Sequence, residues 1–196
     1  MDNNTIQNDL SIIKNMIEKT RQQTAESGSL FITIGFVWLL IPVILVFLQN
    51  NDLKNYWWPI FIGGLIVTLI IATIIGAKEN KRALPVTYSK KIFSQLWLVV
   101  GGVFILTGFV FPMLNVYPVQ YISVITWPVI AIGIYLSGVI YEISIIRWLS
   151  ISWIIGAFLM ALITIPIHLY IALLTMFFGF ILPGVIFSRQ YKKRSN

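Results

Sequence analysis

The side chains able to do acid–base or metal chemistry in this chain are few and scattered. There is one histidine, His168, no cysteine, and the carboxylates are Asp2, Asp9, Glu18, Glu26, Asp52, Glu79 and Glu142. A lone imidazole holds a metal only with carboxylate or further imidazole partners. Only Asp52 is expected on the same side of the pattern as His168, so that histidine is expected to finish a helix end beside Pro166. Glu142 and Arg147 are spaced to pair across a turn or to cap helix ends. No His-Glu-x-x-His, Gly-x-Ser-x-Gly or phosphate-binding loop occurs. Without cysteine, neither a disulfide nor a thiolate metal site can form. The sequence therefore offers no catalytic residue, no metal ligand set and no cofactor site, and the expectation is a protein that is not an enzyme.

The elements that would have to position such groups are unusual in being nearly free of charge. Hydrophobic residues make up 58% of the chain and charged ones 11%, too apolar a mixture for the surface of a soluble domain. Six stretches, Leu30–Leu48, Tyr56–Gly76, Leu96–Leu114, Val119–Ile140, Leu149–Ile165 and Leu169–Phe187, contain no Asp, Glu, Lys, Arg or His. Roughly 20 apolar residues cross a hydrocarbon core. The runs are continuous rather than alternating, which predicts helices and not barrel strands. The expected fold is all-α: a polytopic membrane bundle of six transmembrane helices over 30–187, preceded by a helical segment, 1–29, and followed by a basic tail, 188–196. That first segment lacks the basic start and cleavage site of a signal peptide. Spans empty of ionisable groups argue against a proton- or sodium-coupled transporter.

Charge then orients the bundle. With the N-terminus in the cytoplasm, Lys14, Lys19, Arg21, Lys78, Lys81, Arg82, Lys90, Lys91, Arg147, Arg189, Lys192, Lys193 and Arg194 all fall inside, and Lys54 alone falls outside. Basic residues in short loops stay on the cytoplasmic side, so both termini are expected there. The net charge of +7 reads as topology and not as nucleic-acid binding. Lys78, Lys81, Arg82, Lys90, Lys91, Arg189, Lys192, Lys193 and Arg194 are the candidate contacts to anionic lipid head groups, each contributing about 1 kcal/mol.

Ile6, Leu10, Ile13, Met16 and Ile17 recur every three to four residues and form one apolar stripe on an expected amphipathic helix. Its polar face is nearly neutral, which favours docking on the protein's own loops, self-association or a cytoplasmic protein partner over the bilayer surface. Gly28 breaks the pattern before the first span. Trp57, Trp58, Trp97, Trp148 and Trp153 are expected near the membrane interfaces. Trp38 and Trp127 fall deeper and, with Tyr135, could wall a small pocket, although helix packing explains them as well. Pro42, Pro59, Pro128 and Pro183 are expected to kink spans. Ala72/Gly76, Gly133/Ser137 and Ala157/Ala161 have the spacing that permits close helix contact. Tyr117-Pro118-Val119-Gln120 parallels Ile165-Pro166-Ile167-His168, and Trp97, Gly101 and Pro112 parallel Trp153, Gly156 and Pro166. These matches suggest three related hairpins in parallel.

The stretch Ile13-Lys14-Asn15-Met16-Ile17-Glu18-Lys19-Thr20-Arg21, followed by Ser27-Gly28-Ser29 and the apolar Leu30–Trp38, resembles the start of multi-pass bacterial inner-membrane proteins. In those, a short helix precedes a glycine-containing first span. The resemblance covers about the first forty residues, carries no activity, and implies a bacterial inner membrane. The functional expectation is a non-enzymatic membrane protein working through cytoplasmic contacts, as an accessory or regulatory subunit. The alternative is a permease-like protein for a small neutral or apolar solute.

Overall fold

A chain surrounded by lipid must satisfy its own backbone polar groups, which leaves helices for continuous apolar runs. The computed structural model describes residues 28–51, 53, 56–82, 88–163 and 165–195, and these are helical with no strand. The stripe Ile6, Leu10, Ile13, Met16 and Ile17 lies outside them, as do the side chains of Lys81, Arg82, Lys90, Lys192, Lys193 and Arg194. Six rods result. They are α1, Ser29–Asn50; α2, Trp57–Arg82; and α3, Tyr88–Ile105 prolonged through Leu106–Val110 and Phe111–Met113. After a 3-10 turn, Val119–Tyr121, comes α4, Ile122–Ile140. The fifth, α5, comprises Ser144–Leu149 and Ile151–Leu162. The sixth, α6, runs Ile165–Met176, Phe177–Ile181 and Leu182–Ser195. All six are long and apolar enough to cross a membrane, so the chain is compatible with a multi-pass membrane protein.

Three boundaries differ from the sequence expectation. The fifth span starts at Ser144 and stops at Leu162, with Ile163 extended. Pro166 and His168 therefore lie in the first turn of α6 rather than in a connection, because a proline missing its N–H is tolerated where a helix begins. Arg147 sits within α5, and the link before it is only Tyr141–Ile143. Finally, α6 continues to Ser195, so residues 188–195 prolong a helix instead of forming a separate tail. The short link is made by a left-handed cap. Glu142 has φ 56°, Ile143 N–H donates to Gly138 O at 2.8 Å, and Glu142 N–H donates to Val139 O at 3.1 Å. This is the Schellman pattern. Asn115 (φ 56°) ends α3 in the same way, with Val116 N–H on Phe111 O.

Two rods contain one wide turn each, Leu106–Val110 in α3 and Phe177–Ile181 in α6. Both read Gly-Phe-x-x-Pro: Gly108-Phe109-Val110-Phe111-Pro112 and Gly179-Phe180-Ile181-Leu182-Pro183. The proline ring collides with the carbonyl four residues back and supplies no N–H. The turn opens instead to an i→i+5 bond, Phe111 N–H to Leu106 O and Leu182 N–H to Phe177 O. Such π-turns re-aim the side chains that follow them.

Packing places the rods in a ring, in the order α2, α1, α6, α5, α4, α3. Consecutive hairpins occupy adjacent thirds of it. The most loosely packed neighbours are α2 and α3, which meet through the Phe61–Phe109 ring pair at 5.4 Å. Glycines set the closest approaches. Gly28 (φ 66°) and Gly184 let the start of α1 cross the end of α6, where an added Cβ on Gly28 would lie 2.2 Å from Gly184 O. A Cβ on Gly179 would lie 2.1 Å from Trp153 Nε1. Trp153 is fully buried, not interfacial as its sequence position suggested, because the earlier start of α5 carries it to mid-bundle. Gly133 and Ser137 receive Val100 and Trp97 of α3, whereas Gly76 faces open space. Outward faces carry Phe36, Phe47, Leu98 and Phe158, the surface expected against lipid.

Candidate functional site

Between the rods lies a half-open cavity of about 950 Å³, at the upper end of the range for small-molecule sites, roughly 300–1,000 Å³. Its walls come from residues at helical spacing. On α1 these are Phe31, Ile34, Trp38, Ile41 and Leu45; on α2, Trp57, Phe61, Leu65 and Thr68; on α3, Trp97 and Phe104; on α4, Thr126 and Trp127; on α6, Ala172, Met176 and Phe180.

Aromatic edges organise this lining. Trp38 stands edge-on to Phe61 at 5.5 Å and to Phe104 at 5.4 Å. Trp127 meets Trp153 at 5.6 Å, and Trp153 meets Phe180 at 4.9 Å. Edge-to-face pairs of this kind contribute about 0.5–1.5 kcal/mol beyond burial. At one end Phe31, Phe93, Trp97, Tyr141 and Phe187 form a continuous aromatic plug. That end also carries the described cations: Lys78, Lys91 and Arg189 are exposed and Arg147 half-buried. Arg147 lays its stem on Gly138, and its buried Nε has no hydrogen-bond partner.

Five polar side chains about the cavity are satisfied within the protein: Trp38, Thr68, Trp97, Ser137 and Thr126. Trp38 Nε1 donates to Thr68 Oγ1 at 3.0 Å, and Thr68 Oγ1 donates to Gly64 O at 2.8 Å. Trp97 Nε1 donates to Ser137 Oγ at 3.1 Å, which donates to Gly133 O at 2.6 Å. Thr126 Oγ1 donates to Ile122 O at 2.7 Å. Hydroxyls bonded back to their own helix leave an effectively apolar wall.

The end away from the cations is different. Gln49, Gln120 and His168 line it together with Trp57, whose buried Nε1 has no partner. His168 Nε2 is 2.7 Å from Ile163 O, the last described residue of α5's end turn. Among the described residues, no Asp, Glu, Lys or Arg lines the cavity and no metal-ligating cluster occurs. This lining can bind and exclude water. Among the described residues it pairs His168 with no carboxylate, and Asp52 lies outside them.

Of the residues singled out by sequence, Trp38 and Trp127 line the cavity and Tyr135 does not. Tyr135 is 46% exposed on the outer face of α4, two residues from the inward-facing Gly133 and Ser137. Missed were Phe61, Phe104, Trp57 and the Gln49/Gln120 rim. The signal was present, since Trp57, Phe61, Leu65 and Thr68 repeat every three to four residues. In a span apolar on every side that periodicity does not stand out. No protein-family model, curated protein or solved structure matches this chain.

Proposed function

We propose that this chain is a non-enzymatic, multi-pass membrane protein that takes a small neutral or apolar solute into its central cavity, in the manner of a permease. The supporting observation is the cavity of about 950 Å³ walled by aromatic and aliphatic groups, with no charged side chain among its described lining residues. An ion entering it would lose its hydration without gaining a counter-charge, which is strongly unfavourable. A neutral solute meets no such cost.

The basic residues set the frame. Thirteen of fourteen fall on one side of a six-span chain, which supports both termini in the cytoplasm and contacts from that face to anionic lipid. The resemblance of the first forty residues supports a bacterial inner membrane. The ring order of the hairpins is compatible with three related hairpins. However, the shared π-turns of α3 and α6 cut across that correspondence, and Pro166 belongs to α6, not α5.

A second reading has its own observation. The start of α1 is locked at Gly28 against Gly184 and Ser188 of α6, so whatever binds the N-terminal stripe is coupled directly to a cavity-lining helix. That favours an accessory or regulatory role through cytoplasmic contacts.

The two are separated with reconstituted full-length protein. Gly101 lines the cavity and has no atom within 4 Å of an added Cβ, so the side chain of Gly101→Leu starts into open space. Solute-dependent thermal stabilisation or uptake that Gly101→Leu abolishes, and deletion of 1–27 leaves intact, supports the cavity. The reverse pattern supports the accessory role.

A further inference from the structure

Resting on the cavity reading above, we infer that its occupant is an amphiphile: one extended apolar chain with an uncharged, hydrogen-bond-accepting head group, received laterally from the bilayer. Three independent features converge. The first is shape. Lining residues on α1 run from Phe31 to Gln49, which at 1.5 Å per residue is a column about 27 Å long. A compact solute touches one part of that column. A lipid-length chain fills it.

The second is polarity that changes along the column. From Phe31 to Ile41 the walls are largely apolar, and the Trp38 and Trp97 indoles and the Thr68 and Thr126 hydroxyls are already bonded within the protein. At the far end the polar side chains Gln49, Gln120 and His168 line the cavity beside Trp57. Their amide and ring groups offer hydrogen-bond partners to a hydroxyl or ester oxygen. Among the described residues, an anionic or cationic head group finds no opposite charge there.

The third is access. The seam between α2 and α3 is the loosest in the ring and is bridged by the Phe61–Phe109 pair. Gly76 and Gly101 line the cavity from its two sides, and a Cβ on either meets nothing within 4 Å. An acyl chain can therefore slide between the helices without leaving lipid. A water-borne solute would have no use for such a seam.

The test uses the full chain in phosphatidylcholine nanodiscs, with 1-monopalmitoylglycerol as probe and palmitate, hexadecane and indole as comparators. Saturable stabilisation by 1-monopalmitoylglycerol, with palmitate and hexadecane failing to compete, is expected. Gln49→Leu combined with Gln120→Leu should weaken it about tenfold, the loss of one good hydrogen bond. Gly101→Leu should abolish it, and Gly76→Leu serves if that variant does not fold. Equal binding of hexadecane or indole, insensitive to the rim variant, would overturn the amphiphile and leave the apolar cavity standing. Absence of binding by all four, with Gly101→Leu indistinguishable from wild type, would overturn both.

Discussion

Tyr117 shows how one side chain completes a backbone defect. Pro112 has no N–H, so the carbonyl of Thr107, five residues earlier in the π-turn, lacks the donor that the wide turn would otherwise give it. The Tyr117 hydroxyl donates to that carbonyl from the following link. Removing the hydroxyl in Tyr117→Phe should lower stability by about 1 kcal/mol, read as a lower thermal midpoint in nanodiscs. Burial also raises the Tyr117 phenol above its ordinary value of 10.0. The folded state thus favours the neutral phenol, and its contribution is complete below pH 10 and lost as the pH climbs through the raised value. Wild-type stability should fall on raising the pH past 10 by more than that of Tyr117→Phe. Equal slopes would mean that the phenol is not the titrating group.

Among the helices, the same substitution should have opposite signs at two glycines. In α3, Gly101 faces open space, so Gly101→Ala relieves the helix of its most flexible residue and should stabilise by up to about 1 kcal/mol. In α6, a Cβ on Gly184 would lie 2.8 Å from Ile32 N and 3.0 Å from Gly28 O. Gly184→Ala must push α1 and α6 apart and should cost about 1–3 kcal/mol, measured in the same unfolding assay. Nothing in the sequence distinguishes these glycines, because what differs is the neighbour and not the helix. The spans themselves were legible from charge-free length, all six of them. Their ends were less so: Pro166 read as the close of α5 when it opens α6, and Arg147 read as loop when it is helical. Of the pocket, Trp38 and Trp127 were legible as deep aromatics. Tyr135 was not, because in a span apolar all round nothing marks which face turns inward. The π-turns carry a signature, Gly-Phe-x-x-Pro twice, that is visible only once the wide turn gives it a meaning.

For the molecule as a whole, a ring of helices around a cavity with no charge among its described lining residues makes the cationic end the polarity marker. Gly28, Tyr141, Arg147 and Phe187 gather at that end, and Asn51, Val116 and His168 lie toward the other. Moving several Lys and Arg side chains through the hydrocarbon costs a few kcal/mol each, so the cationic end fixes which way the ring faces in the bilayer. The chain contains no cysteine, which makes single-cysteine variants unambiguous reporters. In intact cells, Val116→Cys, at a side chain 61% exposed, should react with a membrane-impermeant maleimide, and Ser195→Cys should react only after the cells are opened. Labelling of Ser195→Cys in intact cells would invert the topology. The rim of Gln49, Trp57, Gln120 and His168 would then face the cytoplasm, and an amphiphile would have to be drawn from the opposite leaflet. The assay therefore decides which half of the bilayer supplies the cavity, and whether a partner on the N-terminal stripe approaches from the side of synthesis.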